Sequence, residues 1–271
     1  MCLHRLKQYA LALLWIAAVC VTPQALAGRS CEAAQTPKPA TIERGLTLAE
    51  RTLHALDASG ARVVVLARAG QDLSKYGLHY SHLGFAYQQP LPNGQHVWRV
   101  LHSLNQCGTA QSALYRQGLG EFFLDDLWRF EAAWIVPTAQ VQDKLLQLLQ
   151  DEPLAISLHQ NSYSVVSYAW STKYQQSNQW AIETLALAME PGIHTRTQAQ
   201  AWLQFKDYQP SVLKIGALTR LGGRLTAANV AFDDHPNEKR FSDRIETVAV
   251  DSVFDWLQRA HLGGAPVQLR Q

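Results

Sequence analysis

Two alternating runs, each carrying one histidine, constrain the fold of this chain more than any other feature. Tyr80-Ser81-His82-Leu83-Gly84-Phe85-Ala86-Tyr87 precedes Val100-Leu101-His102-Ser103, with Pro92-Asn93-Gly94 between them. Alternation sends successive side chains to opposite faces of a strand, and Pro, Asn and Gly suit a tight reversal. The segments read as paired strands, 80–87 and 96–103, each presenting one imidazole. Two imidazoles on neighbouring strands are what a nucleophile elsewhere needs as base and orienter. The competing reading for each is a hydrogen-bonded core histidine. His79 and His96 read as surface residues.

The rest of the chain mixes strand runs with helix runs, which argues for an α+β fold rather than alternating α/β. Residues 61–68 read as a buried strand and 130–136 as another. Thr47-Leu48-Ala49-Glu50 resembles a capping box opening a helix to about Ala58. Residues 108–117 read as a helix closed by Gly118. Thr138 caps a helix over 139–150, whose Val141, Leu145, Leu148 and Leu149 share a face. Ser177 opens a strongly helical run to Glu190, and a further helix spans about 197–205. Strands are expected over 212–218, 225–231 and 245–250, then a helix capped by Asp251-Ser252.

The ends add a compartment. Residues 1–27 read as a signal peptide, with a basic start at His4, Arg5 and Lys7, an apolar run from Tyr9 to Val21, and Ala25-Leu26-Ala27 as the cleavage pattern. The run is too short for a comfortable membrane span. A bacterial periplasmic or secreted protein is expected, with no span after signal removal. Arg5 and Lys7 leave with the signal, so 24 basic residues become 22, against 22 acidic ones. A mature chain near neutrality gives no electrostatic case for nucleic acid or an anionic membrane. Cys2 and Cys20 also leave, and Cys31 and Cys107 remain as an expected disulfide, a bond that typically contributes about 2–5 kcal/mol. If unbonded, Cys107 is a second candidate nucleophile, at the start of the helix expected after it.

The order of parts, with Ser81-His82-Leu83-Gly84-Phe85 on a strand, His102 on the next and Ser177 opening a later helix, resembles the circularly permuted NlpC-type branch of the papain-like superfamily, which includes the lecithin-retinol acyltransferase-like proteins. The similarity covers roughly residues 60–190. It implies a papain-like core with an antiparallel sheet and packed helices, His82 as general base, His102 as its orienter and Ser177 at the nucleophile position. That family uses Cys there. A serine hydroxyl is far less acidic than a thiol and needs a well-placed base and an oxyanion hole. The whole chain is also similar to an uncharacterised family of bacterial exported proteins, a domain of unknown function, through Asn105-Gln106-Cys107-Gly108, Ser177-Asn178-Gln179-Trp180 and Asp251-Ser252-Val253-Phe254.

Each residue has a plainer reading. Ser177 is equally a helix N-cap. Asn178, Gln179 and Trp180 are candidate substrate contacts, or fill the loop before the helix. Trp98, Trp128, Trp134, Trp170 and Trp180 suggest a sugar groove, with core packing the stronger reading. Asp233, Asp234, His235 and Glu238 crowd one loop, but no metal-ligand spacing is present and no metal or cofactor is expected. The expected organisation is a signal peptide (1–27), an arm (28–46), a papain-like core (47–206) and a C-terminal βα extension (207–271). Two functions remain open. One is a hydrolase or acyltransferase on amide or ester bonds of cell-envelope peptides or lipids. The other is a non-catalytic module binding an envelope peptide, lipid or glycan.

Overall fold

A computed structural model describes residues 37–125 and 127–271. The expected signal peptide, Cys31 and hence the Cys31–Cys107 pairing lie outside the described residues. The fold is α+β. Its central sheet has strand order β4-β3-β2-β1-β5-β8, formed by β1 (Val63–Ala69), β2 (His82–Pro90), β3 (His96–Asn105), β4 (Ser112–Gly118), β5 (Arg129–Ile135) and β8 (Val267–Arg270). Every neighbouring pair is antiparallel. A separate ribbon pairs β6 (Ser211–Lys214) with β7 (Arg244–Thr247).

β1 is buried along its whole length because both faces of the sheet are covered. On one face Val64, Leu66, Ala86, Val100 and Ala132 pack with Leu48 and Leu56 of α1 (Pro39–Ala58) and with Leu119, Phe122 and Phe123 of α2 (Leu119–Leu124). On the other, Val63, Val65, Leu83, Phe85 and Ala133 meet three helices, α3 (Ala139–Gln150), α5 (Ser177–Met189) and α9 (Val250–Arg259). α4 (Glu152–Ile156) follows α3, and α6 (Arg196–Phe205) follows α5. α7 (Ala217–Thr226) and α8 (Asn237–Phe241) lie in the connection from β6 to β7. A third, small cluster of Leu213, Ile215, Val230, Phe232 and Ile245 sits under the ribbon. No helix among the described residues is long and apolar enough to cross a membrane.

Several expected elements are present: the hairpin of β2 and β3, the Thr138-capped α3, α5, α6 and α9. Others differ. α1 starts at Pro39, so 39–46 is helix rather than arm and Thr47 is mid-helix. Proline at the first helical position, where its missing N–H costs nothing, sets that start. The expected helix over 108–117 is instead a turn followed by β4, held by the β3 ladder from Arg99↔Gly118 to Asn105↔Ser112. The strand expected over 225–231 begins inside α7. The C-terminal region supplies α9 to the main core and β8 to the main sheet, so its structure is continuous with the core.

Candidate functional site

β2 and β3 bring the two histidines together as the hairpin predicts. His82 Nε2 lies 2.8 Å from His102 Nδ1, and His102 Nε2 lies 2.9 Å from Gln117 Oε1 on β4. An amide oxygen only accepts, so His102 carries its hydrogen on Nε2 and accepts on Nδ1, and His82 donates from Nε2. The chain of bonds thus runs from His82 through His102 to Gln117, with both rings neutral. Gly84 makes the approach possible: a Cβ there would sit 2.8 Å from His102 Cβ and 2.9 Å from Leu101 O.

The surroundings keep the pair neutral. His102 has no exposed surface. Burial, reinforced by the Arg68 guanidinium, pushes His102 down to about 3, and the same two causes hold His82 well below the ordinary imidazole range. Arg68, on β1, donates to Phe122 O and Asp125 and stacks 4.6 Å over the Phe122 ring. Phe122 also packs against both imidazoles, at 5.9 Å from His82 and 5.2 Å from His102. The pair therefore belongs to the face covered by α1 and α2.

Ser177 belongs to the other face. α5 packs there, and its Trp180, Ala181, Ile182 and Leu185 join Leu83 and Phe85, the residues that alternate with His82 and Gly84. The hydroxyl is buried and its side-chain partner is Tyr163, whose own burial pushes its phenol up to about 12. Ser177 is not the N-cap either. That position is Gln176, whose side chain accepts from Asn178 N–H. The structure brings His82 and His102 together and sets Ser177 across the sheet from them. This departs from the arrangement the papain-like resemblance implies, in which nucleophile and base share one cleft.

The expected substrate contacts are spent internally. Asn178 Oδ1 accepts from Leu83 N–H at 3.0 Å, and its Nδ2 donates to Ser81 O and Val248 O, each at 3.3 Å. The β2–β3 register runs from Phe85↔Leu101 to Pro90↔His96, so Asn178 serves β2 backbone just beyond that ladder. Gln179 accepts from the Ser167 hydroxyl at 2.7 Å and donates to the carbonyls of Tyr168, Ala169 and Ser171. Trp180 is fully buried, edge-on to Phe85. Trp98 and Trp134 are also core residues, whereas Trp128 is exposed. In the acidic loop, Asp233 bonds Lys173 and Tyr174, and Asp234 bonds His235 and Tyr168 N–H, so protein groups occupy these ligands.

Two features escaped the sequence reading. The first is a buried ion pair joining α5 to α6: Glu183 accepts from Arg196 Nε at 2.7 Å, from Gln175 at 2.6 Å and from Gln200 at 2.7 Å. Arg196 also donates to the carbonyls of Ser171, Thr172 and Tyr174. Burial pushes the Glu183 carboxyl up, opposed by Arg196 and the two amides. A charged residue in the middle of an otherwise apolar helix run was its only signal. The second is an open groove of about 400 Å³, lined by Trp170, Gln204, Tyr208, Gln209, Val212 and Arg244 among others. It lies beside the Lys239–Glu246 pair. Its lining comes from separate stretches of chain, so only the tryptophan hinted at it.

The chain belongs to a family described as uncharacterised proteins conserved in bacteria (DUF2145), whose model matches residues 55–257. Neither the curated proteins nor the solved structures contain a match to it.

Proposed function

We propose that this protein is an exported, non-catalytic binding module of the bacterial cell envelope, and that its ligand is a glycan held in the groove beside Trp170. The observation that carries the reading is the placement of Ser177 and the His82–His102 pair on opposite faces of the sheet. A hydroxyl nucleophile needs a base within hydrogen-bond reach, directly or through one water. Here a β-sheet intervenes, and both imidazoles are weak bases in their buried setting. The groove offers an indole, the amides of Gln204 and Gln209, and the Arg244 guanidinium. An aromatic body flanked by orienting polar groups is the combination that polar ligands with apolar faces require. The signal peptide and the Cys31–Cys107 pairing expected from the sequence would suit the exported setting of this reading. The likeness to permuted NlpC-type proteins becomes one of element order, a hairpin before a buried helix, without the chemistry.

The test pairs labelling with binding. A fluorophosphonate probe is expected to leave Ser177 unmodified, and Ser177→Ala is expected to bind purified envelope glycan like the wild type. Gln204→Ala with Arg244→Ala, both exposed positions, is expected to weaken glycan binding at least tenfold. A covalent adduct on Ser177, or turnover of an ester or amide abolished by Ser177→Ala, establishes the enzyme instead.

A further inference from the structure

Helix α7 is amphipathic in the wrong direction for a domain of this kind. At about 100° per residue, Leu218, Leu221 and Leu225 fall within about 60° of arc. Such a stripe ordinarily faces the core. Here the three leucines are 86, 55 and 77 % exposed. The side facing inward carries Gly223, which meets Val230, and Arg220, which is buried and donates to Ile215 O and to Asp243. The Arg220 contacts bring the segment beyond α8 alongside α7, and Phe241, at the end of α8, is 69 % exposed. Three large apolar side chains thus stand in water along one face of α7, while the buried face is held by a charge pair and a glycine.

The stretch of chain that carries this stripe is basic. Residues 208–232 contain Lys214, Arg220 and Arg224 and no Asp or Glu. Arg220 is neutralised by Asp243, and exposed Lys214 and Arg224 form no ion pair among the described residues. Arg240 stacks 4.7 Å over the Phe241 ring. An apolar ridge bordered by cations matches the boundary between anionic headgroups and acyl chains. A second copy of the chain fits less well. A patch on the order of a few hundred Å² falls short of the about 800 Å² per partner of a stable dimer, and it would set like charges against each other.

We propose that α7 is a peripheral membrane anchor that lays Leu218, Leu221 and Leu225 into an anionic lipid leaflet, with Arg224 and Lys214 on the phosphates. The near-neutral charge of the whole chain conceals this local asymmetry. The site is separate from the Trp170 groove and does not depend on what the groove binds.

The test is co-sedimentation of the purified protein, as its host processes it, with vesicles of 30 % phosphatidylglycerol in phosphatidylcholine and with pure phosphatidylcholine vesicles. Expected are binding to the anionic vesicles that falls with added salt, a loss of at least tenfold in Leu218→Glu/Leu225→Glu, and a weaker loss in Arg224→Glu. These positions are exposed, so an unchanged circular dichroism spectrum shows that the fold is kept. The proposal is overturned if the wild type ignores anionic vesicles, or if the double variant binds them as well as the wild type. It is equally overturned if, without lipid, the wild type sediments as a dimer and the double variant as a monomer, since the leucines would then be a subunit interface.

Discussion

At the scale of single residues, the His82–His102 pair converts burial into pH dependence. Both imidazoles titrate below their ordinary value when folded, so between that folded value and about 6.5 the unfolded chain binds protons that the folded chain refuses. Stability then rises with pH across this window. It is fully present above about pH 6.5 and drains away on acidification towards about 3, the value at which His102 takes its proton. Each proton is worth about 1.4 kcal/mol per pH unit. Urea denaturation at pH 7 and at pH 5 is therefore expected to show a loss of roughly 2–4 kcal/mol. In His82→Asn/His102→Gln the slope should flatten even if the midpoint at pH 7 falls. A wild type as stable at pH 5 as at pH 7 would mean that the pair takes up protons without resistance. The two rings could be foreseen as neighbours because alternation and a turn fix a hairpin. Their isolation from Ser177 could not, because a strand sequence shows which residues share a face but not which helix covers it.

At the scale of elements, the joint between α5 and α6 rests on Glu183 and Arg196. The pair is nearly dry, and its remaining hydrogen-bonding capacity is taken by Gln175, Gln200 and three loop carbonyls. Removing one partner strands the other charge in the interior, a change that typically costs about 3–5 kcal/mol. Glu183→Ala is expected in that range by urea denaturation, whereas Glu183→Leu/Arg196→Met, which removes both charges, is expected to recover much of the loss. If the double variant is no better than the single one, the network holds the 171–176 loop for reasons other than charge. The elements legible in advance were those where local chemistry and tertiary packing agree, such as α3 with its Thr138 cap and α6 with its Thr195–Gln198 box. The misread ones are those where the two part company. β4 has half-exposed residues of no marked strand preference and is a strand because β3 offers an open edge. α7 turns its leucines outward and carries Gly222-Gly223, so its run looked like turn and strand.

For the molecule as a whole, the expected boundary at 206/207 cuts through one core. Val248, Val250, Val253, Phe254, Trp256 and Leu257 lie in the same cluster as Val63, Phe85 and Trp180, and Tyr208 bonds Ser252 from the middle of it. A chain ended after Lys206 loses that whole wall, and unfolding of the intact chain is expected as a single transition. The last strand isolates a different effect. β8 contributes little to the core, yet it covers β5, whose Ala132, Ala133, Trp134 and Ile135 are buried. Its own exposed edge carries Gln268 and Arg270, the kind of residues that discourage further pairing. A chain ended after Ala265 is expected to keep its circular dichroism spectrum, because the layers above and below the sheet are untouched. It then exposes a long apolar strand edge, and light scattering should show concentration-dependent association that the full chain lacks. A truncated protein that stays monomeric with an unchanged midpoint would assign the protection of β5 to α1, which packs across the same strand, rather than to β8.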